Sequence, residues 1–310
     1  MLEILTLSAA LVFSMFLVIK SADYAIIHST RLAEWFRLPT FVIGFLIVAV
    51  ISILPETFIA VNSALAGVPS FGLGTLFGSN VADLSLVIAI VIFFSKHNLK
   101  VESKMIQERF FYIGILAIPI LFGLNGHYSR NEGLILVVIG ALFYFFILRR
   151  NMIVQNIPRE KFSFRGLFLL LLSMGFLLLG AHFTVEFGVG LAHTLSIPPV
   201  LIGMFAVGLG TTLPELFFSI KAVKKEKDDL ALGDIMGTVV ADATIVIGIV
   251  ALINPFVFNP RIIYITGIAM VLAIILLIHF MKTDRTLTKK EAILLVLFYV
   301  MFVCAELLIS

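Results

Sequence analysis

Apolar residues run through the chain in long stretches, broken only by short polar or Pro/Gly clusters. The runs reach 18 or more residues about every 30 positions, the length of a helix that crosses a bilayer. Cutting at the breaks predicts ten helices, roughly 4–30, 40–65, 71–94, 109–125, 132–148, 165–192, 199–221, 231–254, 261–281 and 290–308. The stretches between them are too short and too apolar for a separate soluble domain. The chain starts Met1, Leu2, Glu3 rather than on a basic segment, so the first run is read as a permanent helix and not as a cleavable leader.

The pattern repeats. At an offset of 159 residues, Pro39 meets Pro198, Ile43-Gly44 meets Ile202-Gly203, and Leu54-Pro55-Glu56 meets Leu213-Pro214-Glu215. Gly74, Gly78 and Val81-Ala82-Asp83 likewise meet Gly233, Gly237 and Val240-Ala241-Asp242. The same offset carries the fifth helix onto the tenth. Residues 1–151 and 163–310 are thus two five-helix repeats joined by a linker at 152–162. Because five is odd, the second must enter the membrane upside down relative to the first. The expected fold is an all-α membrane protein of ten transmembrane helices arranged as two inverted five-helix repeats.

Composition sharpens this. The 310 residues are 61% hydrophobic and 13% charged, against about 25% charged in an ordinary soluble domain, so a soluble globular protein is excluded. All but three of the 22 Lys and Arg fall in the loops after helices 1, 3, 5, 7 and 9; the exceptions are Lys20, Arg130 and Arg261. Short cytoplasmic loops collect such residues, which puts both termini on the extracellular side of the cell membrane and the 152–162 linker in the cytoplasm. The net charge of +3 is small and peripheral, and predicts no nucleic-acid partner. One cysteine, Cys304, builds neither a disulfide framework nor a thiolate metal site. Beyond membrane lipid and its ions the chain shows no sign of a partner, and it is read as a monomer without a cofactor.

The chemistry lies in carboxylates within the membrane. A charge there costs at least about 2.5–3.5 kcal/mol on insertion scales, yet Glu56, Asp83, Glu215 and Asp242 stand at repeat-related positions. Glu56 and Asp83 flank the loop near Pro69 at nearly equal separations, which puts both roughly 20 Å below that surface at about 1.5 Å per residue. Glu215 and Asp242 flank the loop near Asp228 in the same way from the opposite face, so the pairs can meet at the midplane. Each glutamate follows a proline, which breaks the helical ladder and frees the carbonyls of Ile51 and Gly210. Broken helix at this depth is tolerated only where protein or a wet cavity lines it. With the hydroxyls of Ser52, Ser79, Thr211, Thr212 and Thr238, these groups form an all-oxygen donor set of the kind hard cations such as Ca2+ take up. No imidazole or thiolate accompanies them, which argues against zinc or copper. The glycines at 74, 78, 233 and 237 are expected to let helices approach closely.

At these residues the chain resembles the cation/calcium exchanger superfamily, and within it the prokaryotic sodium/calcium exchangers. Their two alpha motifs correspond here to residues 44–83 and 203–242, with Leu54-Pro55-Glu56, Gly78-Ser79-Asn80-Val81-Ala82-Asp83, Gly210-Thr211-Thr212-Leu213-Pro214-Glu215 and Gly237-Thr238-Val239-Val240-Ala241-Asp242. The resemblance implies a central Ca2+ site on Glu56 and Glu215. It also implies Na+ sites using Asp83, Asp242, Ser79, Thr238, Thr212 and backbone oxygens near Ala49 and Gly208, and helices 1 and 6 as the pair that slides. The expected function is secondary active antiport of Ca2+ against Na+ by alternating access, without enzymatic activity; the ions are cargo rather than cofactors.

Two departures bear on this. Ile53 stands where the family has a hydroxyl, so one sodium site lacks a ligand. Asp83 stands where many members have asparagine, so the set holds four acids. Four ionised carboxylates around one Ca2+ leave two charges unbalanced, and at least one is expected to take a proton. A H+-coupled antiporter of Ca2+ or another divalent cation is therefore the alternative, with a cation channel and an intramembrane aspartyl protease as remote ones. The nearest approach to the protease motif is Ala231-Leu232-Gly233-Asp234, which leaves the two glutamates without a role. Asp23 and His182 are mates at the same offset and candidates for an ion path. Lys20 is expected to pair with Asp23 or to snorkel, Glu186 and Glu306 to be solvated, Trp35 to anchor at the interface, and the charged run 224–229 to be a solvated loop.

Overall fold

The computed structural model describes residues 2–35, 53–101, 106, 109–151, 164–224, 226, 228–283 and 285–309. Almost all of this is helix, the structure that satisfies every backbone group internally where water is absent. The helices are α1 (Leu2–Trp35), α2 (Leu54–Leu65), α3 (Pro69–Ala82), α4 (Ile88–Phe94), α5 (Arg109–Gly123), α6 (Arg130–Asn151), α7 (Phe164–Leu195), α8 (Pro199–Leu201), α9 (Gly208–Thr211), α10 (Leu213–Lys224), α11 (Asp228–Ala241), α12 (Ile247–Ile253), α13 (Ile268–Lys282) and α14 (Lys289–Ile309). Among the described residues seven helices are long and apolar enough to cross a membrane, and Arg109–Gly123 is a shorter apolar one. Of the expected spans, 40–65 is described from Ile53 onward, and 132–148 corresponds to α6.

The sequence offset governs the backbone. Leu54 and Leu213, Pro69 and Asp228, and Ile88 and Ile247 open matched helices, each pair 159 positions apart, and the helices also end in register. Between α3 and α4 the chain widens into a π turn at Asp83–Val87, and between α11 and α12 it does so again at Asp242–Val246. Such wide turns are frequent at functional sites. Each opens on one of the predicted aspartates.

Two short antiparallel ladders tie the halves together. Strand β1 (Leu99–Lys100) pairs with β4 (Thr286–Leu287), and β2 (His127–Tyr128) pairs with β3 (Phe256–Val257). Each ladder takes one strand from each half. Tyr128, buried between Phe256 and Phe258, anchors the second by donating its hydroxyl to the Pro119 carbonyl at 2.7 Å.

Burial separates the helices by role. Within an apolar 18-residue window of the spans Pro69–Phe94 and Ala231–Ile253, 83% of residues are buried, against 17% in such a window of Leu2–Ser21 and 33% in one of Phe164–Leu195. The spans that carry the aspartates are therefore the centre of the bundle. Helices α1 and α7 lie along one another outside it, and exposed Phe13, Phe16, Phe168 and Phe176 give them an apolar outer surface suited to lipid.

Candidate cation site

In the second half a helix break sits where Pro214 predicts, between α9 and α10, and in the first half α2 starts at the matched position. Ile53 (φ −76°, ψ −5°) precedes α2, and Thr212 (φ −76°, ψ −7°) precedes α10. Pro55 occupies the first turn of α2, where its missing N–H removes no intrahelical bond. In both halves the glutamate is then the third residue of the new helix, directed inward: Glu56 is 1% and Glu215 2% exposed.

The four predicted carboxylates share one interior. Asp83 and Asp242 are fully buried beside the glutamates, and Glu56 is in electrostatic reach of Asp83, Glu215 and Asp242. Among the described residues, Glu56 Oε2, Asp83 Oδ1, both oxygens of Glu215 and both of Asp242 have no hydrogen-bond partner. Buried carboxylate oxygens without donors are unfavourable unless a cation or a proton neutralises them. No three acidic, His or Cys side chains among the described residues converge at metal-ligand spacing. The four carboxylates come from four separate turns, two from each half.

The hydroxyls are set up for that. Ser79 donates to the Leu76 carbonyl, Thr211 to that of Gly208 and Thr212 to that of Leu209, each at 3.0 Å. A hydroxyl whose proton goes to the backbone turns its lone pairs outward, as a cation ligand must. Thr211 is also within hydrogen-bonding reach of Glu56, across the two halves. Thr238 Oγ1 is buried and has no partner among the described residues. At the wide turns Ser85 donates to the Val81 carbonyl, and Thr244 to that of Val240 at 2.6 Å, so both turns are held the same way. Ser52 and Ala49 lie outside the described residues.

Close packing positions the Gly208 segment. A Cβ on Gly203 would fall 2.3 Å from the Phe71 carbonyl oxygen, one on Gly74 2.5 Å from the Val200 oxygen, and one on Gly78 2.5 Å from the Met204 side chain. The segment 199–211 therefore rides directly on α3, as the glycines at 74 and 78 predict. The repeat-related neighbours of Gly233 and Gly237 would be residues 41 and 45, outside the described residues.

Sequence reasoning missed some functional neighbours. Tyr144 on α6 donates to the Gly237 carbonyl at 2.9 Å, holding the turn that carries Thr238, and no motif marks it. Asp234 is a further buried acid that the repeat does not mark, because its counterpart there is Thr75. Two surface expectations are corrected. Glu306 is buried rather than solvated, bonded to Thr266 and facing Arg261, because α14 packs against the turn at Ile263–Gly267. Asp228 belongs to no solvated loop: it caps the junction between halves, accepting from the Lys100 N–H at 2.9 Å and meeting His97 Nε2 at 2.8 Å. Lys20 pairs with Asp23 at 3.3 Å as expected, and His182 lies 3.9 Å from Glu186, so Asp23 and His182 each face a neighbour on their own helix.

Residues 6–149 and 165–308 match the family model described as sodium/calcium exchanger protein. The chain belongs to that family. Among its relatives, the inner membrane protein YrbG of Escherichia coli is 27% identical over 82% of each chain. Sodium/calcium exchanger MaX1 of Methanosarcina acetivorans is 22% identical over 92% of this chain and 93% of its own. The solved structure of the sodium-calcium exchanger NCX_Mj, soaked with Na+ and Sr2+, superposes with a TM-score of 0.70 at 21% identity, covering 97% of this chain and 99% of the other. The two share a fold. This exchanger-family protein is thus a multi-pass membrane transporter and not an enzyme.

Proposed function

We propose that this exchanger moves Ca2+ against Na+ by alternating access, through ten helices arranged as two inverted repeats, residues 1–151 and 163–310, with 152–162 as a cytoplasmic linker and both termini extracellular. Glu56 and Glu215 bind the divalent ion. Asp83 and Asp242, with Ser79, Thr238, Ser52, Thr211, Thr212 and the backbone at Ala49 and Gly208, share the site with the counter-ion. The observation that carries this reading is the set of buried, unpartnered carboxylate oxygens contributed by matched turns of the two halves. Such a site is neutralised by one divalent ion or by several monovalent ones, and only the neutralised state crosses the apolar barrier, which couples the fluxes. The names of MaX1 and NCX_Mj, both sodium/calcium exchangers, support the choice of ions.

H+ coupling is the second reading, and Asp83 is the residue that favours it. The test is radioactive Ca2+ uptake into proteoliposomes under an outward Na+ gradient, an outward H+ gradient or none, with Glu215→Ala as control. Na+-driven uptake supports the first reading and uptake driven only by H+ the second. Uptake that needs no gradient points to a channel, and absence of Ca2+ uptake under every gradient refutes Ca2+ as the cargo.

A further inference from the structure

Asp234 on α11 is 4% exposed, and both its carboxylate oxygens are buried without a hydrogen-bond partner among the described residues. Its setting differs between the halves. In α11 and the turn after it, Asp234, Thr238 and Asp242 follow at intervals of four residues and so form a row along the helix; in α3 the matched row is Thr75, Ser79 and Asp83. The first-half hydroxyls are engaged: Thr75 donates to the Phe71 carbonyl and Ser79 to that of Leu76, both at 3.0 Å. In the second half Asp234 Oδ1 and Oδ2, Thr238 Oγ1, and Asp242 Oδ1 and Oδ2 are all open. The row runs from the predicted site toward the Asp228 end of α11, where the second half carries an acid that the first half lacks.

Among the described residues, no cationic side chain is paired with Asp234. Helix α11 packs against α10, β1, α5 and both wide turns. Of the titratable groups on these elements, Asp83 and Glu215 are in electrostatic reach of Asp234, as is Tyr144 from α6, and Asp242 closes the row. Arg109 is turned to the Phe110 ring at 4.6 Å and Lys224 to the Phe94 ring at 5.4 Å, and Lys100 is exposed. A buried carboxylate whose nearest charges are other carboxylates must be neutralised from outside the protein. One carboxylate balances a single positive charge, which matches a monovalent cation rather than a divalent one.

We propose that Asp234 is a one-sided cation position outside the predicted site, on its Asp228 flank, taken by a single monovalent cation, Na+ or a proton.

The test uses the purified full-length protein in detergent without Ca2+, so it stands or falls independently of Ca2+ transport. The midpoint of thermal unfolding is followed for wild type, Asp234→Asn and Asp234→Thr, the last borrowing the first-half residue. One series varies Na+ against choline at constant ionic strength, and the other varies pH without Na+. In alkaline, Na+-free buffer the variants are expected to melt above wild type, because they bury no charge. Added Na+ closes that gap if the occupant is Na+; acid alone closes it if the occupant is a proton. A gap insensitive to both, or variants that melt below wild type in every condition, overturns the proposal, since the carboxylate is then a structural contact only.

Discussion

Glu215→Gln keeps the size of the side chain and one carbonyl oxygen while removing a charge, so it isolates electrostatics from shape. Both Glu215 oxygens are buried without a donor, and the glutamate is 2% exposed, which limits screening by water. At about 4 Å and an effective dielectric of ~20, one carboxylate charge is worth about 4 kcal/mol to a monovalent cation and about twice that to a divalent one. Removing it therefore penalises Ca2+ over Na+ by about 4 kcal/mol, or roughly a thousandfold in relative affinity. The assay is titration of the purified variant with Ca2+ alone and with Na+ alone, comparing each apparent affinity with wild type. The expected result is a large loss for Ca2+ and a much smaller one for Na+. A ratio of the two affinities that moves by less than about tenfold would refute the assignment of Glu215 to the divalent ion.

Other perturbations test neighbouring parts of the argument. Ile53→Ser restores a hydroxyl at the first-half helix break, where the buried isoleucine stands; Ca2+ uptake should become more dependent on Na+, and an unchanged Na+ dependence would count against the missing-ligand account. Asp83→Asn should shift the pH dependence or stoichiometry of exchange while leaving Ca2+ binding largely intact, which flux at several pH values against a Ca2+ titration will show. Gly203→Ala places a methyl 2.3 Å from the Phe71 carbonyl oxygen; backbone cannot yield cheaply, so a loss of at least about 1–3 kcal/mol is expected as a lower unfolding temperature. Tyr144→Phe removes the 2.9 Å bond to the Gly237 carbonyl and should lower stability by about 0.5–1.5 kcal/mol. Unchanged melting in either of the last two would contradict the packing described for that position.

Much of the architecture was legible in the residues themselves. Hydrophobic run length set the helices because a membrane leaves the backbone no other way to satisfy its hydrogen bonds. The offset of 159 reappears in the matched starts at Leu54 and Leu213, since equal local sequence gives equal local structure. Proline marked the starts of α2 and α10, a purely local steric effect. Placing Glu56, Asp83, Glu215 and Asp242 in one interior was also possible from depth alone, since a carboxylate that deep has few alternatives.

What depended on pairing between distant segments was not legible. Nothing in the run 224–229 announces that Asp228 meets His97 and Lys100, because that contact exists only once the two halves are assembled. Glu306 lies near a helix end and reads as solvated until α14 is packed on the turn that brings Thr266 and Arg261 to it. Repeat symmetry, the strongest signal in the sequence, also hid Asp234, whose importance comes from having no equivalent in the first half. The sequence determined which groups are costly to bury; tertiary packing decided which of them receive a protein partner and which stay without one among the described residues.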